Sequence, residues 1–126
     1  MHRGTALVVD DSKSVRLILS KTLGELGWKV EQAPNGRVAL TWLDEHDEPA
    51  QLVLIDWNMP EMDGLDLVRR IRERSRLSGS KLMMVTTETE FDQMKTALDA
   101  GADEYVMKPF TKDIIVDKLR LLGLMQ

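Results

Sequence analysis

ALVVDDS, residues 6–12, sets four apolar side chains directly before two carboxylates and a serine. A strand with one wet face alternates apolar and polar residues. Ala6, Leu7, Val8 and Val9 do not, so they read as a strand buried on both faces. QLVLID (51–56) is a second such run and also ends on a carboxylate, Asp56; LMMVT (82–86) is a third. WKVEQA (28–33) and EYVMK (104–108) supply two further short strands.

Between the strands the apolar period becomes helical. Val15, Ile18, Leu19, Thr22, Leu23 and Leu26 recur at that spacing, and Gly27 supplies a stop. The turn PNG (34–36) leads into a helix with Val38, Ala39, Trp42 and Leu43 on one face. Leu65, Val68 and Ile71 mark a third helix after the loop MPEMDG (59–64). Phe91, Met94, Ala97 and Leu98 stripe a fourth, and residues 111 to about 122 form a fifth with Ile115, Leu119 and Leu122 inward. Five strands alternating with five helices predict an α/β fold, a parallel sheet covered on both faces and built by right-handed crossovers.

The bulk numbers restrict the chemistry. A chain of 126 residues is expected to form a single domain, residues 1–126, without repeats or linkers. It has no cysteine, so disulfides, thiolate metal sites and cysteine nucleophiles are excluded. A net charge of −4 argues against nucleic acid as a partner. No apolar run approaches the roughly 20 residues of a membrane span, and no leader is visible, so no membrane insertion and a cytoplasmic location are expected. No glycine-rich nucleotide cradle follows the first strand.

In open α/β sheets, ligands bind beyond the carboxyl ends of the strands. This chain places Asp10 and Asp11 at the end of strand one, Asp56 after strand three, Thr86 after strand four and Lys108 after strand five. If strands one and three are neighbours, three carboxylates share one pocket. Two like charges about 4 Å apart repel by roughly 4 kcal/mol at an effective dielectric near 20, so the cluster calls for a cation, a shared proton or both. All-oxygen donors with room for water favour Mg²⁺, which in such settings partners phosphate. A lysine and a threonine hydroxyl would complete a phosphoryl-binding set, and one carboxylate could be the nucleophile, giving an aspartyl phosphate. Asp56, within the tight DWNMP turn, is the best candidate for that role.

LVVDDS, LIDWNMPEMDGLDL, MVTTE and GADEYVMKPF, taken in order, resemble the receiver domain of two-component response regulators, closest to the stand-alone chemotaxis type. The resemblance covers nearly the whole chain. It implies a flavodoxin-like, doubly wound five-stranded parallel sheet of order 2-1-3-4-5. It also implies a phospho-accepting signalling switch that takes phosphate from a histidine kinase or phosphotransfer protein onto Asp56. Under it, Asp11 and Asp56 would ligate Mg²⁺ directly, Asp10 through water, and the Asn58 backbone carbonyl would be a further ligand. Lys108 would contact the phosphoryl group, with a cis Lys108–Pro109 bond. Thr86 would move toward the phosphate and let Tyr105 swing inward, remodelling the face of helix four, strand five and helix five for a downstream target protein. Asn58 and Glu88 stand where the family tunes phosphoryl lifetime. The one departure is Thr87, where the family usually carries a small residue; it leaves the extent of the Thr86–Tyr105 motion open.

Such a protein is no enzyme toward external substrates and catalyses only its own phosphorylation and dephosphorylation. The chain ends soon after its last helix, so a stand-alone receiver without an output domain is expected in preference to one excised from a longer regulator, a monomer for which phosphorylation-linked dimerisation stays open. Two alternatives compete. A Mg²⁺-dependent phosphohydrolase would resemble a D-x-D first strand with a cap insertion, whereas the pair here is adjacent and no insertion is long enough. A docking-only pseudo-receiver would lack acidic or lysine positions that are all present.

Single residues have plainer readings. Asp10, Asp11 and Ser12 alone would be an acidic, capped helix start. Tyr105 alone would be half-buried packing, Trp57 a packing residue beside the site, and the methionines core filler. The basic run RRIRERSR (69–76) reads as a solvated helix face. Neither His2 nor His46 is expected to bind metal.

Overall fold

The structure is a computed structural model that describes residues 3–87 and 92–125. Its elements run β1 (Thr5–Val9), α1 (Lys13–Glu25), β2 (Lys29–Ala33), α2 (Gly36–Glu45), β3 (Leu52–Asp56), α3 (Gly64–Arg72), β4 (Lys81–Thr86), α4 (Met94–Ala100), β5 (Glu104–Met107) and α5 (Lys112–Leu121). All strand pairs are parallel, in the order β2-β1-β3-β4-β5. The three uninterrupted apolar runs are the three central strands, which is why they can be apolar on both faces.

Two cores flank the sheet. Leu7, Val9, Val53, Ile55, Leu82 and Met84 pack against α2, α3 and α4. Ala6, Val8, Leu52, Leu54, Met83 and Val85 face α1 and α5 through Leu19, Leu23, Ile115 and Leu119. Successive side chains of each strand therefore serve opposite layers. Ser12, Asn35, Asp63 and Thr111 cap α1, α2, α3 and α5, each accepting a bond from a backbone N–H three residues on.

Four details depart from the sequence reading. Ile18, Val38 and Leu98 point outward, at 56%, 42% and 42% exposure. A helix laid on a sheet buries only one stripe, and consecutive positions differ by about 100°, so Leu19 goes in where Ile18 comes out. In α3 the inward stripe is Leu67, Val68 and Ile71, with Leu65 only half-buried. Phe91 lies outside the described residues.

The run RRIRERSR is a solvated face only in part: Arg69 and Arg70 are exposed, whereas Arg72, Arg74 and Arg76 are tied to other elements. The Arg72 guanidinium donates to the carbonyls of Gly101, Leu77 and Ser80 and to Asp103 Oδ2, at 2.9–3.1 Å. Arg74 pairs with Asp44 at 2.6 Å. Arg76 donates to the carbonyls of Leu43, His46 and Asp47. Arg76 and Arg72 thus cap the C-termini of α2 and α4, where the helix dipole favours positive charge.

Candidate functional site

The carboxyl ends of β1, β3, β4 and β5 converge. Asp10 continues the ladder beyond β1, its N–H donating to the Ala33 carbonyl at 3.2 Å. Its side chain is turned in, 1% exposed, and its Oδ1 accepts the Ser12 N–H at 2.8 Å. Arg16 fixes the same corner, Nη1 donating to the Asp10 carbonyl at 2.7 Å and Nε to Gln32 Oε1 at 3.2 Å. Asp11 is exposed. The capping role of Ser12 and the clustering of the acids hold together.

Asp56 ends β3 at 6% exposure. The chain then turns back sharply: Trp57 N–H donates to the Val85 carbonyl at 3.1 Å and Gly64 N–H to the Trp57 carbonyl at 2.9 Å. Trp57 itself is buried. Asn58 is exposed in the loop that follows. From β5, Lys108 N–H donates to the Thr86 carbonyl at 2.7 Å, and the Lys108–Pro109 peptide is cis. The ammonium lies 3.1 Å from Asp56 Oδ1 and 3.5 Å from Asp10 Oδ2. Thr86 is buried, its hydroxyl donating to the Thr87 carbonyl at 3.2 Å. Tyr105 is half-buried on β5, and Glu88 lies outside the described residues.

One oxygen from each of Asp10, Asp11 and Asp56 lies within 4.8 Å of the others. Burial pushes Asp56 up to about 6, and the Asp10 carboxylate adds to the rise, against the opposing pull of Lys108. Burial draws the Lys108 ammonium down, but Asp56 and then Asp10 outweigh it and hold the lysine above its ordinary range. The ammonium does not neutralise the cluster. At 3.5 Å it is too far from Asp10 Oδ2 for a good hydrogen bond, and that buried oxygen has no hydrogen-bond partner among the described residues. A buried orphan oxygen, two further carboxylates and no nitrogen or sulfur donor fit a hard divalent cation, and Mg²⁺ in particular.

The sequence reading missed the residues that support the site. Arg16 ties the Asp10 corner to β2. Gly64 packs against the Asp56 backbone, where an added β-carbon would sit 2.5 Å from the Asp56 carbonyl. Glu104 and Lys118 flank Tyr105, the Lys118 ammonium lying 3.1 Å from Glu104 Oε1 and 4.3 Å from the centre of the tyrosine ring. The MPEMDG motif flagged Gly64 only as a helix start. Nothing local flags the other three.

Known proteins resemble this chain in sequence and fold. The chemotaxis protein CheY1 of Helicobacter pylori is 42% identical over 117 residues, 92% of this chain and 94% of that one. The chemotaxis protein CheY homolog of Campylobacter jejuni is 40% identical over 114 residues, covering 90% and 87%. The structure of the Vibrio cholerae chemotaxis protein CheY4 superposes with a TM-score of 0.86 at 32% identity, covering 94% of this chain and 97% of that one. The family described as the response regulator receiver domain matches residues 6–120, a span that includes every strand end described above. A sheet of this order, an acidic cluster at its carboxyl edge and that match make the chain a member of the response regulator receiver domain family, of the CheY type.

Proposed function

We propose that Asp56 accepts a phosphoryl group from the phosphohistidine of a kinase or phosphotransfer protein, and that the modified chain binds a downstream target through its α4-β5-α5 face. The observation that carries this reading is the Lys108 ammonium set 3.1 Å from a buried carboxylate that also faces two more acids. Asp56 is the nucleophile: one of its oxygens forms the bond to phosphorus as the bond to the donor imidazole breaks. Lys108 then transfers its contact from the carboxylate to the phosphoryl oxygens. Asp11, Asp56 and the Asn58 carbonyl would hold Mg²⁺ directly, and Asp10 would hold it through water. When bound, the cation would supply charge neutralisation at the transferring oxygens. Thr86 and Tyr105 carry the change outward, and Asn58 and Glu88 tune the lifetime of the modified state.

The phosphohydrolase alternative is not favoured, because the family is a signalling domain rather than an enzyme acting on external substrates. Against a docking-only chain stands the full set of Asp10, Asp11, Asp56 and Lys108. Incubation with Mg²⁺ and acetyl phosphate, read by intact mass, tests the proposal. The wild type should gain one phosphoryl mass and Asp56→Asn should not; an undiminished adduct in that variant would sink it.

A further inference from the structure

We propose that Glu104 and Lys118 form a latch that holds Tyr105 in the position it takes while Asp56 is unmodified. The inference rests on the switch reading above and adds two positioning residues to it. β5 is an edge strand, and its alternation puts Val106 in the α1–α5 core and Tyr105 against the α2–α4 core. Lys118, on α5, belongs to the first of these layers, yet its ammonium lies 4.3 Å from the centre of the Tyr105 ring. It crosses the open edge to get there, and Glu104 is its anchor. Glu104 Oε1 accepts both the Lys118 ammonium at 3.1 Å and the backbone N–H of Tyr105 at 3.0 Å.

One carboxylate oxygen thus fixes the tyrosine twice, through its backbone and, by way of the lysine, through its ring. Lys118 and Glu104 side chains are 21% and 18% exposed, so water screens the pair only in part. Among the described residues neither Glu104 nor Lys118 pairs with Asp56, whose contact with Lys108 is that of the unmodified site. A ring that swings away from α5 must leave the ammonium. The contact therefore favours the unmodified state, and by linkage it weakens binding of whatever favours the other one.

A cation over a half-exposed ring shifts such an equilibrium by about two- to fivefold. Tyr105 is the only tyrosine in the chain, so ring-labelled tyrosine gives a single-site NMR signal. Mg²⁺ with beryllium fluoride, a tetrahedral mimic of a phosphoryl group on a carboxylate, is the probe. Lys118→Met should move the resting tyrosine signal toward its probe-saturated position and lower the half-saturating fluoride complex concentration two- to fivefold. Glu104→Gln should do the same to a smaller extent, and Lys118→Arg, which keeps a cation over the ring, should restore wild-type values. Wild-type response with no change in Lys118→Met and Glu104→Gln would overturn the latch alone. A wild-type tyrosine signal indifferent to the probe would overturn the switch reading and the latch with it.

Discussion

Gly64 stands so close to Asp56 that a β-carbon on it would lie 2.5 Å from the Asp56 carbonyl oxygen and 3.0 Å from the Trp57 α-carbon. Both neighbours are backbone, so neither can rotate away. Gly64→Ala should therefore push the β3–α3 turn off its place, at a cost of about 1–3 kcal/mol, the range for an overpacked core. Chemical denaturation measures the loss, and a Mg²⁺ titration of the folded variant should show weaker binding. A variant with wild-type stability and affinity would mean that the turn yields freely.

The raised Asp56 carboxyl fixes the sign of a pH effect in the metal-free protein. With a folded value of about 6 against 3.8 unfolded, the folded chain binds more protons than the unfolded chain between those limits. Stability is then greatest below about pH 4 as far as this group is concerned, and falls as the pH rises through 6. The size should be on the order of 1–3 kcal/mol. Denaturation in a chelator at pH 5 and pH 7 should show a smaller loss for Asp56→Asn than for the wild type. Equal pH dependence in the two proteins would contradict the assignment.

Mg²⁺ should reverse that penalty. A ligand bound only by the folded chain at a hundred times its dissociation constant stabilises by about 2.7 kcal/mol. Trp57, buried next to Asp56, should report the binding by fluorescence. Asp11→Ala should raise the half-saturating Mg²⁺ concentration at least tenfold, and an unchanged titration would remove Asp11 from the ligand set.

Arg72 offers a test away from the site. Its guanidinium satisfies three carbonyls and one carboxylate at 21% side-chain exposure. Arg72→Met keeps the stem and deletes the donors, and should cost about 2–4 kcal/mol. Arg69→Ala, on an exposed position of the same helix, should stay within about 0.5 kcal/mol. Melting curves of the two variants separate a clamp from a solvated basic run.

These cases show where the sequence was readable. The apolar runs 6–9, 52–55 and 82–85 announced central strands because burial on both faces leaves no polar alternative, and strand ends are where α/β folds expose chemistry. That logic located Asp10, Asp11, Asp56, Thr86 and Lys108. It could not say that Asp10 would be buried and Asp11 exposed, since adjacent residues at a strand end diverge by the turn that follows. Nor could it say which of Ile18 and Leu19 faces the sheet, because both fit an i, i+3, i+4 stripe. The arginines of α3 and the Glu104–Lys118 pair stayed hidden for a different reason: their partners lie 5 to 33 residues away, and charge on a helix looks the same whether it meets water or a carbonyl.

The arginine ties have a mechanical consequence. Those of Arg72, Arg74 and Arg76 gather where α2 and α4 finish and β4 begins, the end of the sheet opposite the acidic cluster. The layers are thus riveted at the pole away from the acids, while at the acidic pole three carboxylates face one ammonium. Side chains at the acidic pole can therefore rearrange without breaking the ties that join α2, α3 and α4 at the other end.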